Sequence, residues 1–317
     1  MRLLVEEITR AEARIRPHIR ETPLAESLAL GELAGGTALV KLENLQHTGS
    51  FKVRGALSAL LGLSPAERSR GVVAASSGNH GAALAFGARA LGAQALVFVP
   101  EDASPVKVAA MRRLGAQVRH HGADTVEAEV QARAYAEAHG LPYISPYNDR
   151  LVVAGQGTVG VEIARQAGRL DALIVAVGGG GLIAGTAAYL RSVWPDLLVI
   201  GAQPERSAVM SESARAGRIV ELPSLPTLSD GTAGGIEPGA ITFELCRELV
   251  DEYALVSEEE IAAAMRLFIE EEHMLIEGAA GVAVAAYLKL AGRLRGKTTG
   301  VVICGANVSP AVLKSVL

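Results

Sequence analysis

The sequence of residues 43–55 is E-N-L-Q-H-T-G-S-F-K-V-R-G, and it joins a short apolar run at 38–40 to an Ala- and Leu-rich segment at 51–61. The apolar run predicts a strand, and the later segment predicts a helix with Ser50 as its N-cap. Lys52 then falls in the first turn of that helix, where the helix dipole disfavours a cation. Such a lysine is either ordinary solvated surface or a lysine kept neutral for chemistry.

Composition narrows the class of protein. The chain has 317 residues and a net charge of -4, and 50% of its residues are hydrophobic. We expect one large α/β domain or two smaller ones, with no footprint for nucleic acid and no membrane-spanning segment. Residues 1–20 resemble neither a secretory signal nor a transit peptide. Two cysteines, Cys246 and Cys304, are too few for a disulfide framework, so we expect a cytoplasmic protein.

The remaining chain alternates short apolar runs with helical patterns. Strands are predicted at 72–75, 95–99, 117–119, 143–144, 173–177, 197–202 and 299–303. Helices are predicted at 4–19, 81–91, 105–114, 123–139, 157–166, 261–271 and 281–290. This alternation predicts a parallel sheet covered on both faces, and the units between about 70 and 147 predict a second, smaller sheet. Residues 217–240 predict a long irregular segment, which in a compact domain is usually functional.

Three further segments carry candidate chemistry. Residues 75–81, A-S-S-G-N-H-G, lie between a predicted strand and a predicted helix, where hydroxyls and backbone N–H groups can hold a carboxylate or a phosphate. An ordinary helix N-cap is the alternative there. Four glycines at 178–181 follow a strand and allow a phosphate to approach the next helix. Residues 303–307 end the last strand, where open α/β sheets place their ligands. Together with Lys52, these parts suit a phosphorylated aldehyde cofactor bound as a Schiff base.

The motifs and their order resemble the fold-type-II pyridoxal-phosphate enzymes, and among them the serine/threonine dehydratases and serine racemases. The matching segments include T-P-L at 22–24, T-G-S-F-K-V-R-G at 48–55, S-S-G-N-H-G at 76–81, G-G-G-G-L at 178–182 and C-G-A-N at 304–307. The resemblance implies a tryptophan-synthase-β-like α/β fold with two open, twisted, parallel-type sheets flanked by helices. It implies a large cofactor-binding domain from 1–70 and 148–317, with a small domain at 71–147 inserted in it.

The resemblance also implies roles for single residues. Lys52 would join the cofactor and act with Ser77 in catalysis. Substrate-binding residues would be Ser76, Ser77, Gly78, Asn79 and His80. Cofactor-binding residues would be Phe51, Lys52, Asn79, Gly178, Gly179, Gly180, Gly181, Leu182, Gly231, Glu277 and Cys304, with Asn79 at the 3′-oxygen of the ring and Cys304 at the pyridine nitrogen.

Two departures from the family pattern affect the expected activity. Many relatives have serine where this chain has Cys304, and neither neutral group stabilises a pyridinium as a carboxylate would. Gln203 and Val209 replace carboxylates of the metal-stimulated racemases, and a hard divalent cation needs such oxygens. We therefore expect no metal site.

The expected activity is dehydration and deamination of L-threonine and L-serine by a homodimer or homotetramer. Serine racemase activity is the alternative within the family, and a phosphate-ligand-binding protein without catalysis is the alternative outside it. The small-molecule partner expected for an enzyme of this family is an amino acid.

Overall fold

The computed structural model describes residues 1–223 and 225–317. Its strands are β1 (Leu24–Ser27), β2 (Thr37–Leu42), β3 (Val72–Ala75), β4 (Ala95–Val99), β5 (Gln117–His120), β6 (Ala172–Ala176), β7 (Leu198–Pro204), β8 (Glu252–Val256) and β9 (Thr298–Ile303). Its α-helices are α1 (Arg2–Ile15), α2 (Leu28–Ala34), α3 (Lys52–Gly62), α4 (Pro65–Arg70), α5 (Asn79–Ala90), α6 (Pro105–Arg113), α7 (Thr125–Ala138), α8 (Arg150–Gln166), α9 (Gly181–Val193), α10 (Val209–Ala216), α11 (Ile241–Leu249), α12 (Glu258–Glu272), α13 (Gly278–Lys289), α14 (Ala291–Leu294) and α15 (Pro310–Val316).

The larger sheet has the strand order β1-β2-β9-β6-β7-β8. All neighbours in it are parallel except β1, which runs antiparallel to β2. Strands β6 and β9 are buried along almost their whole length and lie in the centre of the main core, as expected for parallel strands covered on both faces. Because β2, β9 and β6 are parallel neighbours, the segments that follow them meet at one edge of the sheet.

The smaller sheet is parallel, with the order β3-β4-β5. Its core is separate: α5 and α6 pack apolar residues on one face, and α7 packs on the other. The α/β class and the two-sheet fold are thus confirmed. The domain boundaries at residues 70/71 and 147/148 stay a prediction.

Several elements differ from the expected ones for local reasons. The first helix ends at Ile15, not at residue 19, because Pro17 lies in a 3-10 turn at Arg16–His18. The helix expected from residue 157 begins at Arg150, where the Asp149 carboxylate accepts hydrogen bonds from two backbone N–H groups. The strand expected at 143–144 is a single bridge from Tyr143 to Val73.

Ser50 is not the N-cap of α3, so that prediction is wrong. Ser50 has extended backbone angles and forms an isolated antiparallel bridge with Gly305. The next amide, that of Phe51, donates to the Cys304 carbonyl at 3.1 Å. Residue 50 is thus bonded to the end of the large sheet, and the N-cap is Phe51, which has no side-chain cap bond. This pairing fixes the start of α3, and so Lys52, directly beside the end of β9.

The described helices include none that is both long enough and apolar enough to cross a lipid bilayer.

A fully buried ionic network holds α3 against the large sheet and α8. The Arg54 guanidinium donates to both oxygens of Glu43 and to both oxygens of Glu162, each at 2.8 Å. Lys41 of β2 donates to Glu162 at 2.7 Å and to the Thr22 carbonyl at 2.6 Å. Burial alone would raise the pKa of Glu162, but the neighbouring charges and hydrogen bonds of Arg54 and Lys41 lower it to about 2. The carboxylate is therefore ionised at any ordinary pH.

Removing Arg54 should be strongly destabilising, because it leaves two buried carboxylates without their main partner. We expect Arg54→Met to lower the free energy of unfolding by about 3–5 kcal/mol, measured by urea denaturation. The matched control is Arg169→Met, because Arg169 and Asp196 form an exposed ion pair whose loss should cost about 1 kcal/mol or less. An Arg54→Met cost no larger than that of the control would contradict the importance of the network.

Candidate active site

Lys52 is the first residue of α3 and is partly buried. Its ammonium donates to the Pro146 carbonyl at 3.0 Å and lies 5.2 Å from the centre of the Phe51 ring. Burial lowers the pKa of Lys52 to about 8, although Cys304 and Glu277 partly oppose the shift. At pH 7 about one such amine in ten is neutral, against fewer than about one in a thousand for an ordinary lysine. Burial thus shifts Lys52 toward the neutral form, and its role in chemistry stays a prediction.

The glycine run forms a tight turn between β6 and α9. Gly180 has a φ of +86° and is the N-cap of α9, whose first residue is Gly181. A Cβ on Gly179 would lie 2.3 Å from the Tyr147 ring, and one on Gly180 would lie 2.7 Å from the sulfur of Cys246. The first-turn amides of α9 have no acceptor within the helix. The turn is therefore a backbone anion cradle that tolerates only glycine at its centre.

Gly178 and Leu182, which are also predicted to bind the cofactor, flank the turn. A Cβ on Gly178 would lie 3.1 Å from the Cα of Thr232, and Leu182 is buried in the first turn of α9.

The serine loop precedes α5 in the small sheet. The N-cap of α5 is Gly78, so neither serine is the N-cap residue. The Ser76 hydroxyl accepts a hydrogen bond from the Gly78 amide at 3.2 Å. Ser77 is partly accessible and lines a cavity of about 290 Å³ together with Lys107. The ordinary capping interpretation of these serines is thus wrong, and the Ser77 hydroxyl faces an open space.

Glu277 is the centre of a polar cluster at the edge of the large sheet. The Asn79 amide donates to its two oxygens at 2.9 and 3.0 Å, and the Asn307 backbone N–H donates at 3.0 Å. The Cys304 sulfur lies 3.9 Å from one of these oxygens, and a Cβ on Gly231 would lie 3.5 Å from the same atom. The structure therefore brings together four predicted site residues from distant parts of the sequence.

Burial disfavours the charged forms of the acidic groups in this cluster. Burial raises the pKa of the Glu277 carboxyl, with the Asn79 hydrogen bond acting in the opposite direction. Burial, and then the Glu277 charge, raises the pKa of the Cys304 thiol well above its ordinary range. Cys304 is therefore a neutral thiol at the position predicted to face a pyridine nitrogen.

Asn79 has contacts that its sequence prediction did not include. Its side-chain oxygen accepts from the Asn307 amide at 2.7 Å, while its nitrogen donates to Glu277. The Asn307 amide also donates to the Thr48 carbonyl at 2.8 Å. These bonds tie the first turn of α5 to the segment before α3. The predicted contact from Asn79 to a ring oxygen stays a prediction.

Gln203 is one of the two residues that the family pattern predicts to replace a carboxylate ligand. Its amide donates to the Val177 carbonyl at 3.0 Å, and its oxygen accepts from the Ser211 amide at 2.8 Å. The side chain is 1% exposed and joins the end of β6 to α10. No cluster of three or more His, Cys, Asp or Glu side chains that could hold a metal lies within residues 1–223 and 225–317. That the protein needs no metal stays a prediction.

Sequence reasoning missed the segment 144–148 and the ion pairs across the site. Pro146 binds Lys52, and the Tyr147 ring covers the glycine turn. Lys107 of α6 pairs with Asp230 at 2.8 Å, and Arg133 of α7 pairs with Glu237 at 2.6 Å. No sequence signal marked the segment, because a backbone carbonyl acts at Pro146. Asn307 was detectable only as the last letter of the C-G-A-N motif.

With this geometry established, the comparisons with known proteins identify the family. Residues 15–305 match the family described as pyridoxal-phosphate dependent enzymes. The chain belongs to this family. It is 40% identical over 315 residues to the L-threonine ammonia-lyase of Thermotoga maritima, covering 99% of this chain and 78% of that relative.

Solved structures show the same fold. The processed form of threonine deaminase isoform 2 from Solanum lycopersicum has a TM-score of 0.93 at 33% identity, covering 99% of this chain and 92% of that one. The serine racemase of Dictyostelium discoideum has a TM-score of 0.90 at 37% identity, covering 96% and 98%. The resemblance to fold-type-II pyridoxal-phosphate enzymes is therefore confirmed.

Pyridoxal 5′-phosphate is the cofactor of the family, and the residues of the site fit it. The α9 turn offers backbone N–H groups to a phosphate, and its glycines leave no room for side chains. Lys52 offers a partly buried amine whose pKa near 8 leaves part of it nucleophilic. The Cys304 thiol and the Asn79 amide lie together on the Glu277 side of the same space. The site thus has a suitable group for the phosphate, for the aldehyde and for the ring of the cofactor.

A side chain at the centre of the glycine turn should weaken cofactor binding. In Gly179→Ala the new methyl would displace Tyr147 or the turn itself, and such overpacking costs about 1–3 kcal/mol. Expressed on the dissociation constant of the cofactor, this is about 5- to 150-fold. The apo-enzyme is titrated with pyridoxal phosphate and followed by absorbance. Gly168→Ala is the control, since its Cβ would meet no atom within 4 Å, and equal dissociation constants for the two variants would contradict the prediction.

Proposed function

We propose that this protein eliminates water from L-threonine and L-serine, giving 2-oxobutyrate or pyruvate plus ammonia. The observation that carries the proposal is the Lys52 amine, held by Pro146 beside the glycine cradle with a pKa near 8. The similarity to the L-threonine ammonia-lyase over 99% of the chain supports the substrate class.

The substrate carboxylate would bind at the serine loop. Residues 76–80 present hydroxyls and the first-turn amides of α5, and a helix N-terminus favours an anion. Ser77 faces the adjoining cavity. A carboxylate bound at this loop would leave the α-carbon on the Lys52 side of it.

When bound, pyridoxal phosphate supplies the electron sink that makes the α-proton acidic. The neutral Lys52 amine takes that α-proton, and the electron pair of the broken C–H bond forms the Cα–Cβ double bond as the Cβ–O bond breaks. The proton on Lys52 then passes to the departing hydroxyl, which leaves as water. The released enamine gains water and loses ammonia to give the keto acid. The neutral Cys304 thiol limits how far negative charge is stabilised on the ring, which favours prompt loss of the hydroxyl.

Serine racemisation is the second candidate activity. It is supported by the 37% identity to a serine racemase and by the accessible Ser77 hydroxyl on the small-sheet side of the site. Racemisation needs a proton donor on the face opposite Lys52, and a hydroxyl is a weak acid that needs help from neighbours or water. A binding protein without catalysis is disfavoured by the retained, buried Lys52.

We further propose a cytoplasmic homodimer or homotetramer. The two cysteines are buried and unpaired, as expected in a reducing compartment. Leu28 and Leu33 of α2 are 71% and 57% exposed, and exposed apolar side chains of this kind suit a subunit contact.

Replacing Lys52 should abolish turnover while leaving the fold intact. We expect Lys52→Ala to lower keto-acid release by at least about 10²- to 10⁴-fold and to prevent trapping of the cofactor by borohydride. Circular dichroism and thermal unfolding check the fold. Lys314→Ala, at an exposed position on α15, should match the natural enzyme. A Lys52→Ala variant with full dehydratase activity would refute the assignment.

Replacing Ser77 should separate the two activities. Ser77→Ala should remove any D-serine formation from L-serine, while pyruvate formation falls less, because elimination needs only Lys52 and an exit for the hydroxyl. Since Gly78 and not Ser77 caps α5, stability should change by no more than about 0.5 kcal/mol. Both products are measured on one sample, with Ser69→Ala, at an exposed position on α4, as the control. An unchanged D-serine yield would place the second proton donor elsewhere.

A further inference from the structure

His80 is a buried histidine whose second ring nitrogen has no role in the fold. It is the second residue of α5, and its side chain is 2% exposed. Its Nε2 lies 2.9 Å from the Ile144 carbonyl oxygen. A carbonyl can only accept, so the Nε2 atom carries the proton. Burial, and then the nearby Lys52 charge, lowers the pKa of His80 to about 3, and the ring is neutral.

The neutral tautomer leaves Nδ1 as a bare acceptor. This atom is buried and has no hydrogen-bond partner among the described residues. A buried acceptor without a partner is unfavourable, so a donor that reaches Nδ1 during the reaction would offset that cost. Its lone pair would repel a carboxylate. The predicted contact of His80 with the substrate carboxylate therefore suits the backbone N–H of His80 and not the ring.

Lys52 is the donor to which the geometry points. His80 and Lys52 bind carbonyl oxygens two residues apart on the same segment, Ile144 at 2.9 Å and Pro146 at 3.0 Å. The two side chains come from α5 and α3 and contact the same short stretch of backbone. The charge of Lys52 also lowers the pKa of the His80 ring.

We propose that His80 is a positioning residue for Lys52, and that its Nδ1 accepts a hydrogen bond from the Lys52 amine whenever that amine is free. This inference rests on the proposed role of Lys52 as the base. A neutral amine has two N–H bonds and one lone pair. When Pro146 and His80 accept the two N–H bonds, the lone pair points away from both, toward the substrate. The proton removed from the substrate then occupies that third direction.

The groups that act on this pair are known from the structure. Glu277 and Cys304 act on Lys52 from the large-sheet side, and His47 packs further along α5 through its stack on Phe86. Because His80 titrates near pH 3, the titration of Lys52 between pH 6 and pH 10 reports on the lysine and not on the ring.

Two substitutions distinguish the roles of Nδ1 and Nε2 of His80. Glutamine can place an amide near the Nε2 position and keep the bond to Ile144 while it removes the Nδ1 acceptor. Asparagine can place an oxygen near the Nδ1 position and lose the bond to Ile144. A structural role for His80 predicts rescue by glutamine, and the proposed role predicts rescue by asparagine.

The first measurement uses the apo-enzyme and needs no activity. Lys52 is modified with formaldehyde and cyanoborohydride at a series of pH values, and the labelled peptide is quantified by mass spectrometry. An acceptor favours the ammonium form, so its loss should move the labelling midpoint to lower pH in His80→Gln. In His80→Asn the midpoint should stay close to that of the natural chain.

The second measurement is keto-acid release by the holoenzymes. We expect kcat to fall about 10- to 100-fold in His80→Gln, as for a misplaced catalytic group, with little change in KM. The fall should be smaller in His80→Asn.

The pH midpoint of Lys52 labelling in His80→Gln decides the proposal. An unchanged midpoint overturns it whatever the kinetics. A midpoint raised toward that of an ordinary lysine also overturns it, because it shows a loosened site. If no amino acid yields a keto acid with the natural enzyme, the proposed function fails, whereas the labelling result still tests the His80–Lys52 bond.

Discussion

The Arg54 guanidinium lies between two buried carboxylates, Glu43 and Glu162, and this contact sets the position of everything around Lys52. Arg54 is two residues from Lys52, so the end of α3 that carries Lys52 is bonded at the same time to Glu43, directly after β2, and to Glu162 of α8. Buried ion pairs of this kind add little net stability compared with an apolar core. Their effect is geometric, since each donor fits only one arrangement of acceptors. The Phe51 amide bonded to Cys304 adds the link to β9.

The remaining parts of the site are held by close backbone packing. The glycine turn lies against Tyr147 and Cys246, and a Cβ on Gly305 would lie 2.7 Å from the Glu277 carboxyl. These contacts allow main chain, and not side chains, to face the anionic cofactor. The polar cluster around Glu277 then joins the two sheets through Asn79 and Asn307. Rigid main chain on the large sheet and a bonded side chain from the small one together define the crevice.

Much of this arrangement could be predicted from the sequence, and the failures have physical causes. The apolar runs located β4, β6 and β9 because burial on both faces leaves a continuous hydrophobic signal. The motif residues were found because glycine, lysine and small hydroxyl residues carry chemistry at strand ends. Ser50 was misassigned because a bridge to Gly305, 255 positions away, overrides local capping preference. The Pro146 carbonyl was missed because backbone atoms leave no trace in residue identity. The edge strands β1 and β8 were missed because their half-buried patterns are short.

The ion pairs Lys107–Asp230 and Arg133–Glu237 differ in kind from the network around Arg54. All four side chains are partly exposed to solvent, so dissolved salt screens them and each contributes little. They connect α6 and α7, which pack on the small sheet, to Asp230 and Glu237 of the irregular segment. The molecule therefore has weak, exposed ion pairs at Lys107 and Arg133 and a strongly held, buried network at Arg54. Because salt screens only the exposed pairs, higher ionic strength should weaken this link to residues 230 and 237 while the buried contacts of Arg54 change little.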